Sequence, residues 1–348
     1  MPIEIDGGRV SKQLSRKNRA RPGAYGNDPT SSAEPIKIAL INNMPDSALE
    51  DTEVQFFELL ESAAGDIPIS LKLYSLPEVP RSDAGKKHIE RFYFEIGDLL
   101  NRRFDGVIVT GTEPRQPDLR DEPYWPILTE VLDWAERSTT STVLSCLAAH
   151  AGVLHSDAIP RHRLPDKQFG VFEYEKVRDH ALTEGVGDAM QIPHSRWNEV
   201  RADELASCGY DILTQSAEAG VDLFVKEKKD SLFVHFQGHP EYSTRTLLKE
   251  FRRDVKRFLR QERETYPTLP VRYFDTAAAK LLSDFRANVI ANPQEHHLVE
   301  FPEAAVARAL HATWQQAASM VYRNWLRYLI LRTPEAPVHR ALAPAVRG

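Results

Sequence analysis

The chain predicts an α/β fold in which a parallel sheet is covered by helices on both faces, and three observations carry that prediction. From residue 36 onward, short apolar runs alternate with segments of helical period, the pattern of successive βαβ units. The runs IALI, VIV and TVLS are almost continuously apolar, as strands buried on both faces must be. STVLSCLAAHAGVLHS passes from a strand pattern into a helix pattern with no loop between them, which sets Cys146 at the junction.

Taken in order, IKIALINNMP is a strand ending in a turn, and DSALEDTEVQFFELLESAA is a helix whose early acids complement the helix dipole. ISLKLYSLPEVP is the second strand, KKHIERFYFEIGDLLN a helix, FDGVIVTGTEP a third strand that breaks at Gly111, and YWPILTEVLDWAERS the next helix. After residue 168, GVFEYEKV, YDILTQS, VDLFVKEK and LFVHFQGHPEY read as antiparallel hairpins extending the sheet, followed by the helical TRTLLKEFRRDVKRFLRQE. From about Tyr273 the chain is mostly helical, and the Trp, Tyr and Leu stripe of AAVARALHATWQQAASMVYRNWLRYLILR is expected to pack on the sheet rather than to form a dimer face. The expected plan is a disordered polar tail over 1–34, an α/β domain over 35–272 and a helical extension over 273–348 with a frayed end.

A net charge of −6 and 42% hydrophobic residues describe an ordinary globular chain, and nothing in them asks for nucleic acid. The first 34 residues are basic and rich in turn formers, without the apolar core of a secretory signal. No run of about 18 apolar residues is present to span a bilayer, so neither membrane association nor export is expected and the location reads as cytoplasmic. The Arg and Ser of the tail would also suit a transit peptide, but a solvated tail is the simpler reading. Cys146 and Cys208 are too few for a disulfide framework and read as free thiols. With no CxxC, no HExxH, and His296 and His297 adjacent rather than convergent, no metal is expected.

A cysteine at a sharp strand-to-helix turn is pushed into a cleft, and the helix N-terminus favours its thiolate. The N–H of Leu147 would then face the carbonyl under attack, with Gly111 or Thr112, at the end of a neighbouring strand, as the second oxyanion donor. A lone buried cysteine is usually a small hydrophobe. QGHPEY shifts that balance, because a turn made by Gly238 and Pro240 presents His239 with the carboxylate of Glu241 two residues on, a base with its orienting acid. Spacing along the chain does not by itself bring residues 146 and 239 together.

The Cys146 elbow and the GHPEY turn together resemble glutamine amidotransferase-like proteins, in which Cys, His and Glu form a triad on a flavodoxin-like sheet. The G-x-C-x-G usual there is replaced by Leu144 and Ala148. The segments IALINNMP, TEVQFFELL, FDGVIVTGTEP, YWPILTEVLDW, TSTVLSCLAAHA, KQFGVFEY, PHSRW, QGHPEY, LLKEFRRDV and NWLRYLI, in that order, resemble more specifically the homoserine O-acyltransferase family of methionine biosynthesis, from Ile36 to about Leu331.

That resemblance implies a three-layer, flavodoxin-like sheet of the class I glutamine amidotransferase type with a helical C-terminal extension, and a catalytic set of Cys146, His239 and Glu241. It implies substrate contacts at Lys167 and Ser195, and at Arg253 a fork for the amino acid's carboxylate, with Arg252 as a competitor that only helical phase can separate. Arg196 and Glu173 are expected to line the same cleft. No bound cofactor is implied; succinyl-CoA or acetyl-CoA is the donor, a small amino acid the acceptor, a homodimer the expected state, and a helical C-terminal lid the means of excluding water. The sequence departs from the family where substrate choice is made. Acids follow the MP turn from Asp46, where a lysine is usual, and TEPRQP places Arg115 at the position that discriminates acyl donors. An arginine there could pair with a dicarboxylic acyl group, which favours succinyl. The expected reaction is acyl transfer to the hydroxyl of homoserine or a related amino acid through a cysteine acyl-enzyme. A glutaminase-type amidotransferase or cysteine hydrolase of the same fold, and a catalytically silent binding module, are the alternatives.

Overall fold

The apolar runs pair as parallel neighbours. In the computed structural model, which describes residues 3–5 and 34–332, the strands are β1 (Ile3–Ile5), β2 (Ile36–Ile41), β3 (Ile69–Tyr74), β4 (Phe104–Val109), β5 (Thr139–Ser145), β6 (His162–Lys176), β7 (Ala189–Glu199), β8 (Asp211–Ile212), β9 (Thr214–Ser216), β10 (Gly220–Val221), β11 (Leu223–Lys228) and β12 (Ser231–Phe236). The helices are α1 (Asp46–Ala64), α2 (Asp83–Phe92), α3 (Ile96–Leu100), α4 (Trp125–Ser138), α5 (Leu147–Asp157), α6 (Ala202–Ser207), α7 (Thr246–Leu259), α8 (Thr276–Val289), α9 (Glu303–Val306) and α10 (Gln315–Arg332).

One sheet has the order β1-β3-β2-β4-β5-β12-β11-β8. Its strands from β3 to β12 run parallel. Numbered along the chain, those five follow the 2-1-3-4-5 order of flavodoxin-like folds, which places functional residues at the carboxyl ends of the strands. Apolar clusters fill both faces, one holding α1 and α10, the other α4 and α5.

Several expectations are revised. Ile3–Ile5 is no free tail but an edge strand in parallel register with Ile69–Leu71, and Ile3 and Ile5 are buried. The rest of the expected tail, residues 1–2 and 6–33, and the expected frayed end, 333–348, lie outside the described residues. Only β11 and β8 extend the main sheet through antiparallel pairing, β11 on β12 and β8 on β11, while β12 itself lies parallel to β5. The β6 segment instead leads a second, four-stranded sheet of order β10-β9-β6-β7. Its strand β7 escapes the apolar pattern because it buries polar His194 and Arg196 and carries Pro193, which an edge strand tolerates. KKHIERFYFEIGDLLN divides into α2 and α3, because Tyr93 turns extended and the Phe94 N–H bonds the Leu73 carbonyl at 2.8 Å.

The C-terminal stripe is buried rather than presented to a partner. Ala318, Val321, Tyr322, Trp325, Leu326 and Leu329 of α10 join the core on the α1 face of the sheet, against β4, β5 and β12. Gly106 permits this, since a Cβ there would lie 2.7 Å from the Trp325 ring, and the Trp325 indole N–H donates to Ser141 Oγ at 3.0 Å. Trp325→Ala is therefore expected to destabilise the fold by about 3–5 kcal/mol, read as a lower urea midpoint with an unchanged m-value. Among the described residues no helix is long and apolar enough to cross a membrane.

Candidate active site

Cys146 closes β5 and caps α5 with φ 54° and ψ −113°, a conformation that costs a side-chain-bearing residue energy and is typical of an elbow. Its N–H bonds the Phe236 carbonyl of β12 at 2.8 Å. Glycines do not flank it, yet α5 still lies tight on β5, because Gly152, six residues later, leaves room where a Cβ would come within 2.4 Å of Leu144 Cδ1. Gly111 performs the matching task at the end of β4. A Cβ on it would stand 3.0 Å from the Leu147 nitrogen, so the Gly111 backbone borders the first amide of α5, which has no intrahelical partner.

The turn after β12 is clamped from two sides. Asp222 Oδ1 accepts the Gly238 N–H at 2.6 Å, and the Pro193 carbonyl of β7 accepts the His239 N–H at 2.9 Å. Gly238 is required by that clamp, since a Cβ would meet Ile192 Cγ2 at 2.4 Å. His239 Nδ1 faces Glu241 Oε1 at 2.8 Å, with the two side chains 6% and 5% exposed, and the imidazole shares a cavity wall with Cys146, near enough for the cysteine's charge to act on it. Tyr242 stacks on the His239 ring with centroids 4.1 Å apart. Burial alone would lower the imidazole pKa, but the charges of Cys146 and Glu241 and the hydrogen bond to Glu241 hold it well above its ordinary value. The balance favours the protonated imidazole. His150, one turn along α5, does not compete as a base, since burial drives it down to about 3 even with Gln237 Oε1 at 2.9 Å.

Cys146, Leu147, Gly111, Thr112 and His239 share the wall of one cavity of about 790 Å³. Lys167, Ser195, Arg196 and Arg253 line it too. Lys167 arrives there on a β-bulge, because the β6–β7 register jumps from Arg163↔Asn198 to Gln168↔Arg196. Its ammonium lies 3.0 Å from Asp254 Oδ2 and 3.8 Å from Glu250 Oε2. Ser195 Oγ bonds the same Glu250, and Tyr242 donates to it at 2.5 Å. Arg253 stands 3.4 Å from Asp254. Burial would raise the Asp254 carboxyl, but the charges of Lys167 and Arg253 hold it below its ordinary range.

Helical phase separates the competing arginines: Glu250, Arg253, Asp254 and Arg257 turn to the cavity, whereas Arg252 pairs with Glu303 at 3.1 Å. Other expected residues fall elsewhere. Arg115 is exposed and off the cavity wall, because Glu122 Oε1 grips its N–H at 2.5 Å and that of Gln116 at 2.7 Å, which turns the loop outward. Glu173 borders a separate cavity of about 380 Å³ with Met190 and Met320. Asp46 takes no part in the wall, although Met44 and Pro45 do; it pairs with Arg81 at 3.2 Å and accepts the Ser82 N–H at 2.7 Å, locking the turn. The expected C-terminal lid is absent from this wall, whose last described contributors are Glu262 to Thr265 just after α7. Tyr242, Glu250 and Trp197 were not read from the sequence as site residues. For Glu250 a signal existed, since it stands three and four residues before Arg253 and Asp254 on one helix face. Among the described residues no group of three or more His, Cys, Asp or Glu is placed to hold a metal ion.

The sheet order, the cysteine at a strand-to-helix elbow and the buried His–Glu pair on the same cavity define a flavodoxin-like α/β protein with its candidate site at the carboxyl ends of the strands. Within that class the chain belongs to the homoserine O-succinyltransferase family, whose model matches residues 14–335. It is thus an acyltransferase. The homoserine O-succinyltransferase of Rhodopseudomonas palustris is 44% identical over 86% of this chain and 90% of its own length. That of Bradyrhizobium japonicum is 45% identical over 84% and 90%. Among solved structures, a glutamine amidotransferase from Thermotoga maritima covers 85% of this chain and 99% of its own, with a TM-score of 0.47 and 11% identity, a likeness too loose to bear on chemistry.

Proposed function

We propose that the chain transfers the succinyl group of succinyl-CoA to the hydroxyl of homoserine through an acyl-Cys146 intermediate. The observation that carries this reading is that Cys146, at the elbow, lines the same cavity of about 790 Å³ as an imidazole held by Glu241 at 2.8 Å. The Cys146 thiolate attacks the thioester carbonyl, and the Leu147 amide with that of Gly111 or Thr112 holds the oxyanion. The C–S bond to coenzyme A breaks, and protonated His239 gives its proton to the departing thiolate. Homoserine then binds, its carboxylate on Arg253 with Lys167 and Ser195 beside it. Neutral His239 takes the hydroxyl proton as the oxygen attacks the acyl carbon, and the Cys146–acyl bond breaks to leave the O-acyl ester and the starting ion pair. Succinyl is favoured over acetyl because the relatives carry that donor in their names and because arginines line the cavity even though Arg115 does not.

Initial rates with both substrates varied are expected to give parallel reciprocal plots, with free-thiol release sustained only when homoserine is present. Ammonia release from glutamine without thioester turnover would instead establish the glutaminase reading.

A further inference from the structure

The cavity mouth carries a feature that the chemistry at Cys146 does not use. Trp197 is 38% exposed although Arg163 already covers one face of its ring, the guanidinium carbon 4.3 Å from the centroid. Both residues line the catalytic cavity. Trp197 sits four residues along β7 from Pro193, whose carbonyl holds His239, so the indole lies about 13 Å along the strand from that anchor, with Arg163 of β6 beside it. A four-carbon acyl chain is shorter than that span, whereas the pantetheine arm of a coenzyme A thioester is long enough to cover it.

Charge agrees with this placement. The chain carries net −6, yet the cavity lining has seven Lys or Arg against five Asp or Glu, an excess of positive charge that suits an anionic ligand. Among the described residues no carboxylate forms an ion pair with Arg163. Arg263 is only loosely engaged, 4.0 Å from Asp254 and 3.5 Å from Thr265 Oγ1. We infer that Trp197 and Arg163 form the platform for the nucleotide end of the acyl donor, the adenine stacking on the open indole face and the phosphates facing Arg163 and Arg263. This rests on the proposed acyl-CoA chemistry and adds to it where the far end of the donor lies.

The test compares succinyl-CoA with succinyl-pantetheine, which keeps the thioester and lacks the nucleotide. Trp197→Ala is expected to lower the ratio of kcat/KM for the two donors about tenfold, and Trp197→Phe to restore most of it, because a base–aromatic stack is worth about 1–3 kcal/mol. Adenosine 3′,5′-bisphosphate is expected to compete with succinyl-CoA in the parent and to lose that effect in Trp197→Ala and Arg163→Ala. An unchanged donor ratio in Trp197→Ala, with competition retained, overturns the inference. Failure of the parent to use either donor would overturn the proposed function itself, and the platform with it.

Discussion

Cys146→Ala is expected to lower kcat/KM for acyl transfer by at least about 10⁴-fold, since removing a nucleophile leaves only the contribution of oxyanion donors and binding. Cys146 is a partly buried residue at a turn held by the Phe236 carbonyl and the Gly152 approach, neither of which involves the thiol, so the unfolding midpoint should barely move. Cys208, the second free thiol, caps the far end of α6 and is absent from the cavity wall. Steady-state thiol release checks the expectation. Retention of a tenth of parent activity by the variant would mean that another group attacks the donor.

The second large effect is expected at Glu241. Its Oε1 holds His239 Nδ1 at 2.8 Å, and among the described residues its buried Oε2 has no hydrogen-bond partner, so its charge acts chiefly on the imidazole. Glu241→Gln keeps the size but loses the charge and permits the wrong orientation of the ring, and a fall in kcat of about 10²–10⁴-fold is expected by analogy with triads in which the acid is neutralised. The pH profile supplies the sign. Cys146 and Glu241 together raise the His239 pKa against the lowering effect of burial. Removing the Glu241 charge therefore lowers it, and the alkaline limb of the donor half-reaction, where His239 loses its proton, moves to lower pH. A limb that stays in place or moves upward would show that Glu241 does not set the protonation of His239.

The elements that could be read from residues alone were those whose pattern is local. IALI, VIV and TVLS are β2, β4 and β5, and the strand that runs straight into a helix at Cys146 does so because Gly152 allows the two to touch. Assigning His239 and Glu241 to the same site needed likeness to a family, because the pairing of β12 with β5 that joins them spans about ninety residues of chain, and no local pattern encodes it. Ile3–Ile5 is too short to show an alternation and is defined by its place beside β3. The second sheet stayed hidden because β7 buries His194 and Arg196, and because the Lys167 bulge breaks the alternation of β6. Arg115 misled for a related reason: the Glu122 carboxylate that turns its loop outward acts through backbone N–H groups, which no residue pattern near Arg115 reveals.

The most direct test is intact-mass measurement after incubation with succinyl-CoA and no acceptor. Acyl transfer through Cys146 predicts one succinyl group added to the parent, mapped to the peptide containing Cys146, lost on adding homoserine, and never formed in Cys146→Ala. Equal labelling of the variant, or turnover by the parent with no adduct and with intersecting rather than parallel rate plots, would contradict it.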